Sequence, residues 1–345
     1  MKRCNILLII LLAVLTACSK IDNSIIYSAP RFKNNLVANV RVLNDRAMLN
    51  TPWNMWVVDS VVILNTQSAE NNGQFQLFSA IDGAEIGNFG FKGRGENELT
   101  NYLRCAVNVR EKSLCAIDIK SKLEVDLRTI ASGSQPKMKK SKMAGGISAL
   151  HIYHWGDKLL LMGHIDPRIA LTNGSASDTL SSYNDYPHIT KEIDENATAK
   201  LYYSIKSSSY AVAPDGSKIC HTTRNGMIME IFDVNKAGQI SLRHIRYFFP
   251  TKMKNSMSGA NDCMMGVIQT RATDKYIYVT YCDSPQKNVN NVRLGVFDWD
   301  GRGVACYEFD NVRILKFNVT PDNNRVYCWV KNADGEEYLG YFDLK

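Results

Sequence analysis

The sequence predicts an all-β fold, a six-bladed β-propeller, on three observations. An acidic turn followed by a strand-like run recurs six times. Several short strands fit inside each period. No long segment carries apolar residues at i, i+3, i+4 and i+7. The acidic positions are Asp59, Glu111, Asp157, Asp215, Asp274 and Asp322, at intervals of 52, 46, 58, 59 and 48 residues. Their mean, about 53 residues, divides into the chain six times, and short strands at such a period mark propeller blades.

The first element is not part of that ring. Lys2 and Arg3 precede an apolar run over residues 6–15, and Leu15-Thr16-Ala17-Cys18 follows. Early cations, a short apolar run and a small-residue cleavage site form a secretory signal. The run is too short for a membrane-spanning helix. Residues 15–18 resemble a bacterial lipobox, in which cleavage precedes Cys18 and the Cys18 sulfur takes diacylglycerol. Residues 1–17 are then the signal peptide of a lipoprotein. Residues 18–35, polar and containing Pro30, are the lipidated cysteine and its tether. Acyl chains on Cys18 hold the protein to a membrane without embedding it. No aspartate follows Cys18, which favours the outer membrane. Ser19-Lys20-Ile21-Asp22 matches a surface-export signal only in part, so the periplasmic face and the cell surface both stay open.

Residues 36–345 are read as one propeller. Residues 36–43 are strand-like and precede the first unit. The acidic turns then introduce strand-like runs at 61–64, 114–117, 159–162, 219–220, 276–279 and 326–328. A third strand follows within the units, as at 75–80, 228–234 and 294–297. The chain ends on such a third strand, so the sixth unit lacks a fourth. The strand over 36–43 is expected to pair with the last blade and close the ring, which removes an open edge. The two longest intervals place insertions at about 173–205 and 250–262. Residues 191–200 offer one short helical turn.

Composition narrows the function classes. The chain of 345 residues is 45% hydrophobic and 22% charged, with a formal net charge of +7 that falls to +5 when Lys2 and Arg3 leave. Collagen, low-complexity disorder and a small disulfide scaffold are excluded. The positive excess is spread along the chain, and no nucleic-acid partner is indicated. Seven cysteines follow Cys18, an odd number without a C-x-x-C pair, and most sit in apolar runs. They read as buried thiols rather than disulfides or zinc ligands.

Three segments resemble a known family. Ala213-Pro214-Asp215-Gly216-Ser217-Lys218-Ile219 is similar to the Pro-Asp-Gly turn of TolB-type propellers, and Thr320-Pro321-Asp322-Asn323-Asn324-Arg325-Val326 is a variant of it. Residues 89–99, Phe-Gly-Phe-Lys-Gly-Arg-Gly-Glu-Asn-Glu-Leu, resemble the Gly-Arg-Gly-x-Gly-Glu-Phe loop of the TolB-like six-bladed propeller lipoproteins of Bacteroidetes. Asn97 replaces the second glycine and Leu99 the phenylalanine. The resemblance implies an architecture and an envelope address, not a chemistry.

Lys92, Arg94 and Glu96 are the candidate binding residues. Arg94 can reach a carboxylate, a phosphate or a sugar hydroxyl at a channel mouth. The alternative gives the glycines positive φ in a blade-to-blade connection and pairs Arg94 with a neighbouring acid. No phosphate loop is present, because Gly-Lys-Ser/Thr and a following helix are missing. His151 and His154 lie three apart on a strand and point to opposite faces. A metal set of His154, His164 and Asp166 is conceivable, but surface or core histidines are the default. Trp53, Trp56, Tyr102, Tyr153, Trp155, Tyr183 and Tyr186 are either a stacking surface or blade core, with core favoured.

No catalytic residue, metal site or cofactor is assigned. The reading is an envelope lipoprotein acting as a non-catalytic binding or scaffold module for a protein or glycan. The rival is a calcium-dependent hydrolase or lyase on the propeller axis, with Asn108 and Asn318 as candidate donors.

Overall fold

The computed structural model describes residues 25–345 except 47–50, 67–72, 103, 119, 145–148, 164–165, 189–207, 252, 256–257, 260–263 and 286–290. The signal segment, Cys18, the helical turn expected over 191–200, His164 and Cys263 lie outside the described residues.

Six antiparallel sheets form the ring, with a two-stranded ribbon at Met253–Asn255 and Ser258–Gly259 beside it. Blade 1 shows the pattern: Asn54–Val58, Val61–Asn65, Phe75–Ser79 and Glu85–Phe89 pair in order. The innermost strands of blades 2 to 6 are Arg104–Asn108, His151–Trp155, Ser208–Val212, Val267–Ala272 and Val312–Val319. Each acidic turn joins an innermost strand to the second strand of its blade, so the sequence repeat is the structural one. Asp215 shows why an acid stands there. Its carboxylate accepts from the Ser217 amide at 2.9 Å and the Ser217 hydroxyl at 2.6 Å, closing the turn. Gly216 takes φ +73° beside it.

Among the described residues there is no central apolar core. Six apolar clusters each fill the space between two neighbouring blades. Trp56, Phe75 and Phe89 of blade 1 meet Leu114 and Leu123 of blade 2, and Met55 and Leu64 on the other side of blade 1 meet Trp329 of blade 6. A blade is therefore covered on both faces. That is why a second strand can carry an unbroken apolar run, as over residues 61–64 of Val61–Asn65, whose five residues are all buried.

The N-terminal chain closes the ring in a divided form. One strand was expected over 36–43; two are found, β1 (Phe32–Ala38) and β2 (Arg41–Asn44). β1 runs parallel to Gly303–Phe309 on the outer edge of blade 5. β2 pairs antiparallel with Glu337–Asp343 and is the missing fourth strand of blade 6. Asn39 and Val40 carry the chain from one blade to the next, so one segment ties both sides of the seam. Ring-forming structure thus starts four residues earlier than 36.

The expected insertion over 173–205 is displaced. Residues 174–178 are a short turn between Ile169–Asn173 and Thr179–Tyr183, and the long connection runs over 184–207. Among the described cysteines no disulfide is present. Cys115, Cys220, Cys282, Cys306 and Cys328 are buried free thiols, and Cys105 is half-buried. No helix among the described residues is long and apolar enough to cross a membrane.

Candidate functional site: the axial channel and its wide mouth

Antiparallel order gives the ring two unlike faces. Connections between first and second strands, and between third and fourth, lie on one face. They are two to five residues long, apart from 127–136. Connections between second and third strands, and between blades, lie on the other. These include 90–103, 184–207, 250–266 and 282–292. Long connections are where binding residues concentrate on rigid scaffolds.

Lys92, Arg94 and Glu96 stand on this loop face, in the connection from blade 1 to blade 2. All three are exposed. Among the described residues no hydrogen bond or ion pair to another side chain holds any of them, so no described acid pairs with Arg94. Below them the loop is rigidly built. The Gly95 amide donates to the Glu98 carboxylate at 2.9 Å, and Lys140 donates to the Gly95 and Glu98 carbonyls at 2.8 and 2.6 Å. Tyr102 lies beneath, its hydroxyl donating to the Phe91 carbonyl at 2.9 Å. Gly93 and Gly95 do not take positive φ, contrary to expectation. A Cβ on Gly93 would collide with the Glu98 carboxylate. Room for that folded-back carboxylate is what the glycines supply.

Innermost strands of all six blades line a channel of about 340 Å³ along the axis. Trp53 and Leu150, each directly before an innermost strand on the loop face, are partly exposed at 48% and 41% and border the opening. Of the other aromatic candidates, Trp56, Tyr102 and Tyr153 are core, as favoured. Asn318 lines the channel and donates to the Met55 carbonyl at 3.3 Å. Asn108 instead donates to the His154 carbonyl and accepts from the amides of Arg110 and Glu111. The two amides do not converge. His151 and His154 do point apart. The His151 ring lies tilted against Tyr210, centroids 5.2 Å apart, and lines the channel, while His154 sits 3.1 Å from Glu124 of blade 2. Asp166 accepts from Asn184 at 3.0 Å. Among the described residues no group of three His, Cys, Asp or Glu side chains is placed to hold a metal.

The charged side chains in the channel wall are Arg271 of blade 5 and Lys316 of blade 6, which sequence reasoning missed. No described lining residue is a carboxylate. Among the described residues Arg271 donates only to the carbonyls of Thr270 and Met55, at 3.2 and 3.4 Å, and its buried Nε meets no partner. Enclosure lowers Arg271 to about 10, which leaves it charged at neutral pH. Enclosure lowers Lys316 to about 8, with the Arg271 and Arg224 charges adding to the effect. The other titratable groups there are neutral: burial pushes the Cys105 thiol up to about 12 and the His151 imidazole down to about 4. A bulge aims Lys316. Register slips between Ile314 and Lys316, so Ile314 and Phe317, three apart, both pack between blades 5 and 6. The extra residue lets Lys316 turn into the channel. The signal in the sequence was a cation, Lys316, between the apolar residues Leu315 and Phe317 of an innermost strand, Val312–Val319.

A second ionic cluster is entirely internal. Arg168 makes a two-pronged pair with Glu230 and also donates to the Asp185 carbonyl at 2.9 Å. His221 Nδ1 lies 2.8 Å from the Glu230 carboxylate. All three are buried. Arg168 and His221 hold the Glu230 carboxyl down at about 2 against the effect of burial.

Comparison with known proteins agrees with this architecture. The family profile described as TolB-like 6-blade propeller-like matches residues 31–322. Among solved structures, a member of the duf4221 family from Bacteroides vulgatus is similar at a TM-score of 0.54 and 10% identity, over 90% of this chain and 97% of that one. The β-propeller domain of Myceliophthora thermophila Cps50 (Swd1) is similar at a TM-score of 0.50 and 11% identity, over 94% and 100%. At these identities the likeness is one of fold. No curated protein is detectably similar in sequence.

Proposed function

The chain belongs to the TolB-like six-bladed propeller family, and on that premise we propose that it is an envelope lipoprotein serving as a non-catalytic binding or scaffold propeller. Lipid on Cys18 tethers it to the outer membrane, and its partner is an envelope protein or a glycan. The observation that carries the binding reading is the one-sided build of the ring. Every connection longer than ten residues is on the loop face, around the channel mouth. Lys92, Arg94 and Glu96 stand there on a braced loop with no described internal partner. Exposed charges held on a rigid base favour recognition, because little order is lost on binding. The calcium-enzyme alternative has less support, since the described channel wall offers cations where calcium needs oxygen anions.

Two measurements test this. Cys18→Ala should leave a folded propeller that no longer sediments with membranes; retention on membranes would refute the lipid anchor. A photo-crosslinking residue at position 94 should capture a partner in whole cells, while one at Lys236 on the tight-turn face should not. Capture from position 236 alone would refute the loop face as the docking side.

A further inference from the structure

Buried charge is costly unless a counter-charge is at hand, and proteins normally supply one from their own side chains. The channel departs from that rule. Arg271 and Lys316 are half-buried in the channel wall and the Arg271 charge acts on Lys316, yet among the described residues neither forms an ion pair. The carbonyls that Arg271 reaches are distant and carry no net charge. Cys105, whose Sγ accepts from Asn65 at 3.0 Å, stays a neutral thiol and cannot act as counter-ion.

We propose that the axial channel is a binding site for one small oxyanion group, a carboxylate, phosphate or sulfate, held between the guanidinium of Arg271 and the ammonium of Lys316. The guanidinium presents paired N–H donors that match such a group, and the ammonium adds a compact second charge. Amide and hydroxyl groups of Asn318, Gln269 and Ser208 line the same space and suit the uncharged part of a polar ligand. Arg224 sits in the loop-face connection of blade 4 and acts on Lys316, so positive charge also reaches the channel from the face that Trp53 and Leu150 border. A volume of about 340 Å³ admits a small molecule, not a polymer. This site is independent of whichever macromolecule docks on the loop face.

Thermal melts of the full chain in detergent test the proposal. The probes are phosphate, sulfate and galacturonate, with galactose and chloride at matched ionic strength as controls. At least one oxyanion should raise the melting temperature by several degrees, and the controls should not. Galacturonate alone would identify a sugar-acid ligand, and phosphate or sulfate alone a phosphorylated, sulfated or inorganic one; both support the site. Lys316→Met and Arg271→Met should each weaken the response at least tenfold in half-saturating concentration, whereas Lys316→Arg should retain it. Melts of each variant without added anion show whether it is folded. An unresponsive wild-type chain would overturn the proposal, as would a response that survives in both Met variants.

Discussion

Arg168 is a buried arginine and Arg271 a half-buried one, and the molecule surrounds them in opposite ways. Arg168, packed where blades 3 and 4 meet, has the Glu230 carboxylate in bidentate contact, His221 beside it and the Tyr186 ring 5.1 Å from its guanidinium. Arg271 has two distant carbonyls and a second cation, Lys316, in the same channel. The difference separates structure from function. A charge neutralised inside the fold holds two blades together and leaves nothing for a ligand to do. A charge left without a counter-ion beside an open volume costs stability, and a protein retains such a cost where binding repays it.

The largest expected effect comes from breaking the satisfied cluster. Glu230→Gln leaves Arg168 without its anion and should cost about 3–5 kcal/mol in denaturant unfolding. Acid acts on the same place. Glu230 is held at about 2, below its ordinary value, so its contribution is present above about pH 4.5 and is lost as pH falls toward 2. His221 is held at about 4 by burial and the Arg168 charge, so its unfolded form takes up a proton first, and stability falls between about pH 6.5 and 4. Melts over pH 7 to 3 should show this loss, and a flat profile would contradict the cluster's role.

The opposite sign is expected in the channel. Lys316→Met removes a cation that enclosure and Arg271 disfavour, and should stabilise the apo protein at pH 7 by about 1–2 kcal/mol after discounting for channel water. Destabilisation by that variant would erase the contrast between the two arginines. A smaller effect sharpens it. Lys316 feels the charges of Arg271 and Arg224 and shares the channel wall with His151, and Lys316 itself titrates near pH 8. Oxyanion affinity measured by calorimetry should hold from pH 6 to 7.5 and decline above about 8 as the ammonium loses its proton. The smallest effect is at the surface. Arg94→Ala should change stability by less than about 0.5 kcal/mol, because no described group holds Arg94.

Much of the fold was readable along the chain because each blade is a local object. Turn chemistry at Asp215 and Asp322, apolar runs such as Val61–Asn65, and the period between acidic turns are all short-range properties. The unpaired last blade was legible from the count of strands. The split of the closing segment into β1 and β2 was not, since the parallel partner of β1 lies about 270 residues away in sequence. Of the site, the loop bearing Lys92, Arg94 and Glu96 stood out because glycines and charges cluster there. Arg271 and Lys316 did not, because in sequence they are isolated from each other, in two separate strands 45 residues apart.

By itself the sequence determined the class of fold, the number of blades and the turns, since hydrogen bonding between neighbouring strands and the burial of blade faces act over short spans of chain. Only the closed ring decided which innermost residues share a volume, which of them meet a counter-charge and which face inward past a bulge. Those relations are set when strands from distant units converge on one axis, where enclosure and low dielectric first give an isolated cation its cost and a ligand its place.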